Sequence, residues 1–274
     1  MDKNNLEITY EELNSLIDLI KNTQDFDFGD YAAASLKRRV TRIMHLQNLT
    51  LFDLRTLLTN DQDYFESFLI EITVNVTEMF RDPLFYKSLS ENMIPYLRSY
   101  QRIKVWNAGC STGEELYSYA ILFAEANLYD RTFFYGTDIN NEVLGHARLG
   151  IYDLQKMKQN SENFQNTGTL HTLSDFYTAR YDAAIINKSL KKNVLFSVHN
   201  LATDGVFNEF QVISCRNVLI YFNQELQMKV IELFYNSLAN FGFLCLGSKE
   251  TLRSTDIGRF KVIDKKNNIY QKIA

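Results

Sequence analysis

The first 98 residues carry apolar side chains at helical spacing, and this segment lacks the alternation that is typical of strands. The spacing predicts helices at about residues 9–22, 31–47, 51–59, 62–75 and 83–98. Start signals support these bounds, because Asp30 and either Thr50 or Asp53 are suitable N-caps and Pro83 fits the first turn of a helix. The pattern therefore predicts an all-helical N-terminal domain over residues 1–98.

From residue 99 onward, short apolar runs alternate with helical segments. Strands are predicted at about 103–108, 132–138, 194–200, 211–217 and 243–248, and helices at about 114–127, 140–148 and 223–240. Such alternation builds βαβ units and hence a mainly parallel sheet. The last residues, from 259, are typical of two strands joined by a polar turn at Asn267 and Asn268. The prediction for residues 99–274 is thus an α/β domain that ends in an antiparallel hairpin.

One segment has no place in this alternation. It lies between the helix that ends near residue 149 and the strand that begins at residue 194. Its stretch "YDAAIINKSL" is typical of a short strand after a polar turn. We therefore expect a small β-subdomain insertion at about 152–196, with a helix and an antiparallel ribbon, on one edge of the sheet.

Composition limits the class of protein. The chain has 274 residues, of which 46% are hydrophobic and 14% aromatic, enough for a sizeable core. No apolar run approaches the roughly 18 residues of a membrane span, and the first residues lack a signal peptide's apolar segment. Three distant cysteines, without metal-ligand spacing, are expected to be reduced packing residues of a cytoplasmic protein. The net charge of −4 gives no general reason to expect a nucleic-acid partner.

One short segment of the chain is strongly basic, although the net charge of the whole chain is negative. The run "LKRRVTR" has no acidic residue and contains Lys37, Arg38, Arg39 and Arg42. On a helix Arg38 and Arg42 stack at i,i+4, while apolar neighbours can face inward. Two interpretations are open: a solvated helix face, or a surface for a negatively charged partner such as an acidic helix, a phosphate or a substrate carrying carboxylates.

The stretch "VWNAGCSTGEELYSYA" contains a tight turn between a predicted strand and a predicted helix. Open α/β sheets bind ligands at such turns. The spacing of Gly109 and Gly113 differs from the G-x-G-x-x-G of a dinucleotide fingerprint, and Glu114 and Glu115 would repel a pyrophosphate. Carboxylates suit a ligand with an amine or hydroxyl groups. An ordinary turn, with acids that favour the helix N-terminus, is the alternative.

Polar residues also follow the other predicted strands. Asp138 ends the second strand, where an acid can bind both hydroxyls of a ribose, although it could equally be a helix N-cap. Asn200 follows the next strand, and Arg216 and Asn217 follow the one after it, with Tyr221 nearby. Because parallel strands end at one edge, these groups are expected to cluster around a pocket.

Four stretches in this order resemble the chemotaxis-receptor methyltransferases of the CheR family: "VNVTEMFRDP", "WNAGCSTGEELYSYA", "GTDINNEVLGHARLGIY" and "SCRNVLIYFN". The similarity extends over about residues 8–274. It implies a Rossmann-like S-adenosylmethionine-dependent methyltransferase domain C-terminal to the helical domain. It also implies O-methylation of glutamate side chains on the cytoplasmic domain of chemoreceptors, for sensory adaptation. We expect a cytoplasmic monomer that uses no metal, inserts into no membrane and leaves S-adenosylhomocysteine as product.

The resemblance further implies which residues form the site. Cofactor contacts are implied for Asn75, Thr77, Arg81, Glu115, Asp138, Asn200, Leu201, Arg216 and Asn217. Among these, Glu115 is expected at the methionine amino group, Asp138 at the ribose hydroxyls, and Asn200 with Leu201 at the adenine. Arg81 and Tyr221 occupy the positions that the family has nearest the transferred methyl group, which makes them the expected catalytic residues. The expected substrate-binding residues are Lys37, Arg38, Arg39 and Arg42.

Three other functions remain open at this level. A dinucleotide-dependent oxidoreductase is disfavoured by the glycine spacing and by the two acids that follow. A non-catalytic regulatory module could keep the nucleotide pocket without turnover. A methyltransferase could also act on a signalling protein outside chemotaxis.

Overall fold

A computed structural model describes residues 7–24, 26–73, 77–253, 256 and 258–274. The chain divides into two compact units. The first unit consists of two segments, residues 1–75 and 220–230. The second consists of residues 76–219 and 231–274. Among the described helices, none combines the length and apolar character that crossing a membrane would require.

The first unit is built from helices whose apolar faces pack together. They are α1 (Tyr10–Gln24), α2 (Ala33–Gln47), α3 (Leu51–Asn60) and α4 (Gln62–Thr73). Each contributes buried residues at helical spacing, as with Leu13, Leu16 and Ile20 of α1. Thr50 begins α3 as an N-cap, in a capping box with Asp53. The helices predicted between residues 9 and 60 and the Thr50 cap are confirmed. The helix predicted at 62–75 is confirmed to residue 73, because 74 and 75 lie outside the described residues. The helix predicted at 83–98 is divided in two at Met93.

The predicted N-cap Asp30 is wrong, because α2 begins three residues later with Ala32 at the cap. Tyr31 instead forms an isolated antiparallel bridge with Phe222 of the same unit. The Ala32 N–H donates to the Tyr221 carbonyl oxygen at 2.9 Å, and the Asn223 N–H donates to the Asp30 carbonyl oxygen at 2.9 Å. Sequence periodicity could not predict this bridge, since its two residues are far apart in the chain.

The second unit contains the mainly parallel sheet. Its strands are β1 (Ile103–Ala108), β2 (Thr132–Asp138), β6 (Val194–Val198), β7 (Phe210–Cys215), β8 (Leu238–Leu246), β9 (Phe260–Asp264) and β10 (Ile269–Lys272). In the described part of the chain their order is β6-β2-β1-β7-β8-β10-β9. The first five run parallel, while β10 is antiparallel to both β8 and β9. The predicted α/β fold with an antiparallel C-terminal hairpin is confirmed.

Helices cover both faces of this sheet. On one face Val105 shares a buried cluster with residues of α5 (Pro83–Asn92), α6 (Ile94–Leu97) and α7 (Glu114–Glu125). On the other face the Trp106 ring lies 5.4 Å from that of Phe234, which belongs to the second half of α10 (Gln224–Ser237). A further helix, α8 (Asn141–Leu149), follows β2. The alternating orientation of Val105 and Trp106 is the ordinary consequence of a strand buried on both sides.

The insertion forms a small sheet of its own. Its elements are β3 (Ile151–Asp153), α9 (Met157–Gln165), β4 (Tyr177–Arg180) and β5 (Ala183–Ile186). The strands are antiparallel in the order β3-β5-β4. The predicted helix and antiparallel ribbon are confirmed, and β3 adds a third strand to the ribbon.

The predicted domain boundary between residues 98 and 99 differs from the division into units, because α5 and α6 pack in the second unit. As a statement about separately folding domains, it stays a prediction.

Candidate functional site

The carboxyl ends of four neighbouring parallel strands carry most of the predicted cofactor residues. In the order β6, β2, β1 and β7, these strands lie side by side in the second unit. Asp138 is the last residue of β2, and the segments after the other three strands contain Asn200, the turn 109–113, and Arg216 with Asn217. The structure therefore brings these groups to one edge of the sheet, where open α/β folds bind ligands.

The glycine turn after β1 is fixed by backbone hydrogen bonds. The N–H groups of Gly109 and Cys110 both donate to the Thr137 carbonyl oxygen, each at 2.8 Å. Gly109 has φ +72°, and a Cβ atom there would lie 2.5 Å from Cγ2 of Val218. Gly113 has φ +91° directly before α7. Both positions need glycine for backbone conformation, and Gly109 also for close packing.

Asp138 is tied to this turn. One carboxylate oxygen accepts from the Ser111 N–H at 2.9 Å, and the other accepts from the Asn140 N–H at 3.1 Å. Burial raises the pKa of the Asp138 carboxyl, although these hydrogen bonds act in the opposite direction. The alternative that Asp138 caps the next helix is wrong, because the side chain of Asn140 caps α8. Asp138 is thus a fixed acceptor at the end of β2.

A buried ion cluster lies beside the turn. The Arg216 side chain is 2% exposed, and its two terminal nitrogens contact separate carboxylates. Nη1 lies 3.0 Å from Oε2 of Glu115, and Nη2 lies 2.7 Å from Oδ2 of Asp82. The guanidinium also stacks on Phe85, 3.9 Å from the ring centroid. Burial alone would lower the pKa of Arg216, but its charged and polar neighbours, of which Glu115 has the largest effect, raise that pKa overall.

The second oxygen of Glu115 has partners of its own. Oε1 accepts from Oγ of Ser214 at 2.6 Å and from Nδ2 of Asn107 at 3.1 Å. Since a carboxylate has about four lone-pair sites, roughly one remains for a further donor. The environment of Glu115 is therefore that of an acceptor held rigidly for a cationic or hydroxyl-bearing ligand.

The segment that carries Arg81 is a turn of unusual backbone conformation. Phe80 has φ 54° and Asp82 has φ 61°, so left-handed residues flank Arg81 on both sides. Each such residue costs about 1–2 kcal/mol and persists only where its surroundings fix it. One such restraint is the Ser118 hydroxyl, which accepts from the Phe80 N–H at 2.9 Å. Arg81 and Thr77 are half-buried here, whereas the predicted cofactor residue Asn75 lies outside the described residues.

The remaining cofactor candidates also have defined partners. Oδ1 of Asn200 accepts from the Ala202 N–H at 2.9 Å, and Leu201 between them is buried. Asn217 adopts φ 62°, and its N–H donates to Oε2 of Glu250 at 2.9 Å. The same oxygen of Glu250 accepts from the Gly247 N–H at 2.6 Å. A buried glutamate therefore joins the segment after β7 to the segment after β8.

Sequence reasoning missed Asp82, Ser118, Ser214 and Glu250 as members of this region. Asp82 stands next to the predicted Arg81, and Ser214 precedes the predicted Arg216 by two residues. Strand periodicity alone could have indicated that Ser214 and Arg216 lie on the same side of the chain. Glu250 gives no such signal, because its loop is distant from its partners in the sequence.

The first unit holds the other candidates. Arg38 and Arg42 are exposed on α2, and Lys37 is half-buried with Nζ 5.0 Å from the Tyr10 ring centroid. Arg39 does not share this face. It is buried, it donates to the Ile72 carbonyl oxygen, and its guanidinium lies 4.2 Å from the Tyr221 ring centroid.

Burial lowers the pKa of Arg39, and the contact with Tyr221 opposes that shift. A run of four basic residues thus separates into an exposed basic face and one buried cation. The direct role of Arg39 in substrate binding stays a prediction that this burial does not favour.

The cysteines follow their predicted role as packing residues. Cys110, Cys215 and Cys245 are buried free thiols. Burial raises the pKa of the Cys110 and Cys215 thiols well above the ordinary value, which disfavours the reactive thiolate. No group of three or more His, Cys, Asp or Glu side chains within the described residues could hold a metal ion.

Comparison with known proteins gives matches to both parts of the chain. Residues 11–73 match the family described as CheR methyltransferase, all-alpha domain, and residues 75–269 match CheR methyltransferase, SAM binding domain. The chain is 44% identical over 263 residues to Cher3 of Pseudomonas putida, covering 95% of this chain and 96% of that protein. It is 30% identical over 245 residues to a chemotaxis protein methyltransferase of Listeria monocytogenes, covering 88% and 90% of the two chains.

Arg216→Met should strongly destabilise the second unit, because it leaves the Glu115 carboxylate partly buried without its cation. We expect a loss of about 3–5 kcal/mol in the free energy of unfolding. Urea unfolding followed by the fluorescence of Trp106, the chain's single tryptophan, measures this change in the second unit. Lys192→Met removes an exposed ion pair with Asp130 and should cost at most about 1 kcal/mol. Equal losses in the two variants would contradict the importance of the buried cluster.

Proposed function

The chain belongs to the CheR methyltransferase family, and on this basis we propose that it methylates glutamate side chains of chemotaxis receptors. The cofactor of the family is S-adenosylmethionine. The name of the Listeria relative, chemotaxis protein methyltransferase, supports a place in chemotaxis. The strongest support within the molecule is the pair of fixed acceptors, Asp138 and Glu115, at adjacent strand ends. We further propose that the protein acts in the cytoplasm on the receptor's cytoplasmic domain.

The residues at the strand ends fit this cofactor chemically. S-adenosylmethionine presents hydroxyl and ammonium donors, and ionised carboxylates are acceptors only. In the proposal Asp138 accepts from the ribose hydroxyls and Glu115 from the amino group, while Asn200 and Leu201 contact the adenine. Thr77, Arg81, Arg216 and Asn217 complete the proposed set, and so does Asn75, which lies outside the described residues. When bound, the cofactor supplies an electrophilic methyl group on a sulfonium centre.

The proposed chemistry needs positioning more than proton transfer. A glutamate side chain is already ionised near neutral pH, so no general base has to activate it. Arg81 would orient the acceptor carboxylate, and Tyr221 would shape the site and offer its hydroxyl. Exclusion of water would strengthen both interactions. The contact of Arg39 with Tyr221 suggests that Arg39 supports this tyrosine rather than the receptor directly.

The exposed basic face of α2 is the proposed docking surface for the receptor. Arg38 and Arg42 are accessible there, and Lys37 is partly so. An acidic receptor helix would be attracted by this face through charge complementarity. Two alternative functions stay possible outcomes of the experiments below: a regulatory module without turnover, and methylation of another signalling protein.

The decisive experiment supplies labelled S-adenosylmethionine and a cytoplasmic receptor fragment to the purified protein. We expect label on the receptor that mild base releases as methanol, because carboxylate methyl esters hydrolyse readily. Label that resists base would contradict glutamate as the acceptor. Cofactor binding without any transfer, to this fragment or to membranes of the source cells, would favour the regulatory module.

Asp138 should give cofactor binding a characteristic pH dependence. Its raised pKa means that mild acidification protonates it before an ordinary aspartate, and a protonated carboxyl is a poorer acceptor. The affinity for S-adenosylhomocysteine should therefore be full near pH 7 and fall as pH decreases through the raised pKa. Asp138→Asn should bind about 1–3 kcal/mol more weakly and lose this dependence.

Calorimetry between pH 4.5 and 7.5 measures the effect. Glu142→Gln, an exposed change on α8, is the control and should keep the wild-type profile. A wild-type profile in Asp138→Asn would remove Asp138 from the cofactor site.

Reversing the charge of the basic face should strongly reduce receptor methylation without changing the affinity for the cofactor. The double variant Arg38→Glu/Arg42→Glu repels an acidic helix, and we expect at least a tenfold loss of receptor methylation that high salt reproduces in the wild type. Its affinity for S-adenosylhomocysteine should be unchanged. Lys261→Glu/Lys265→Glu makes the same change of charge at exposed positions of the second unit and should retain activity. Equal losses in both double variants would indicate a general charge effect.

A further inference from the structure

The turn that carries Arg81 is held by side chains of the insertion. Asn160 and Asn163 stand one turn apart on α9, on the same helix face. Oδ1 of Asn160 accepts from the Met79 N–H at 3.2 Å, and Nδ2 of Asn163 donates to the Met79 carbonyl oxygen at 3.2 Å. Two amide side chains thus satisfy both backbone groups of one residue, as a neighbouring strand would.

This pair is buried and specific. Asn160 is 4% and Asn163 is 7% exposed, so water is not an easy substitute partner for Met79. Gln159 donates to Oδ1 of Asn163 at 3.1 Å, which orients the Asn163 amide with its nitrogen toward Met79. The helix therefore presents one acceptor and one donor in a fixed order.

The same helix, α9, also restrains the residue after Met79, because it packs against the side chain of Phe80. The ring of Phe164, also on α9, lies 4.6 Å from the Phe80 ring, and both side chains are fully buried. On the other side of Arg81, the Arg216 guanidinium holds the Asp82 carboxylate. The two left-handed residues that flank Arg81 are thus fixed from outside, by α9 on one side and by Arg216 on the other.

We propose that Asn160 and Asn163 are positioning residues for Arg81, so that the insertion is part of the catalytic machinery. The inference rests on the proposed function only in that Arg81 is taken to contact the cofactor and the acceptor carboxylate. The asparagine pair fixes the backbone conformation of Met79 and Phe80. This conformation in turn determines the position of the Arg81 Cα atom, from which the side chain extends. Neither asparagine touches the reacting groups in this scheme.

The test uses one chemical change at three positions, two on α9 and one at its C-cap. Asn163→Asp replaces the donor by an acceptor that repels the Met79 carbonyl oxygen, and we expect kcat for receptor methylation to fall at least tenfold. Asn160→Asp keeps the acceptor for the Met79 N–H and should retain most of the activity. Asn166→Asp, at the exposed end of the helix, is the matched control and should match the wild type.

A double-mutant cycle with Arg81→Ala separates positioning from simple destabilisation. If Asn163 acts through Arg81, the double variant Asn163→Asp/Arg81→Ala should be no slower than Arg81→Ala alone. The same cycle is measured on the affinity for S-adenosylhomocysteine, with Trp106 fluorescence in urea as the check of folding. Should Asn163→Asp fail to fold, Asn163→Ser is the substitute. The serine side chain is too short to donate to the Met79 carbonyl oxygen, and it adds no charge.

The outcomes are distinct. Additive losses in the cycle, or wild-type kcat and affinity in both Asn163 variants, would overturn the positioning role while leaving the proposed function intact. Absence of methyl transfer by the wild type would refute the proposed function. In that case the cycle on S-adenosylhomocysteine affinity still decides whether Asn163 and Arg81 are coupled.

Discussion

The second unit depends on one buried cation. The Arg216 guanidinium, nearly inaccessible to solvent, is neutralised by Glu115 from the start of α7 and by Asp82 from the start of α5. Its own position at the end of β7 is fixed by the parallel sheet. Desolvating Arg216 and most of Glu115 is costly, and the contacts with the two carboxylates and the stacking on Phe85 offset that cost. The end of β7 and the starts of α5 and α7 are distant in the sequence, and the contacts of Arg216 fix their relative positions.

Most of the fold could be predicted from the sequence because its determinants are local. The strands β1 and β2 coincide with short segments rich in apolar residues, and the capping box of Thr50 and Asp53 lies within four consecutive residues. The asparagine-containing turn near the C-terminus likewise predicted the antiparallel pair β9 and β10. In each case the pattern that decides the structure lies within the element itself.

The grouping of polar residues at the strand ends could be predicted from the sequence, but the contacts between these residues could not. The position of Asp138 could be predicted because it ends a strand of a parallel sheet, and such strand ends lie together at one edge. In contrast, the burial of Arg39 depends on Tyr221 and the Ile72 carbonyl oxygen, and the backbone hydrogen bond at Asp30 depends on Asn223. These contacts join residues far apart in the sequence, and side-chain type alone does not specify them. Arg38 and Arg39 are both arginines and differ by one position, yet one is exposed and the other buried.

Because of the asparagine pair on α9, the insertion is not structurally independent of the segment that carries Arg81. A segment inserted between a helix and a strand is ordinarily a module that can be trimmed, lengthened or exchanged between homologues. Here its helix supplies hydrogen bonds and an aromatic contact to a turn 81 and 84 residues earlier in the chain. A chimera that exchanged the whole insertion would therefore need a compatible "TEMFRD" segment as well, and the two segments are expected to vary together.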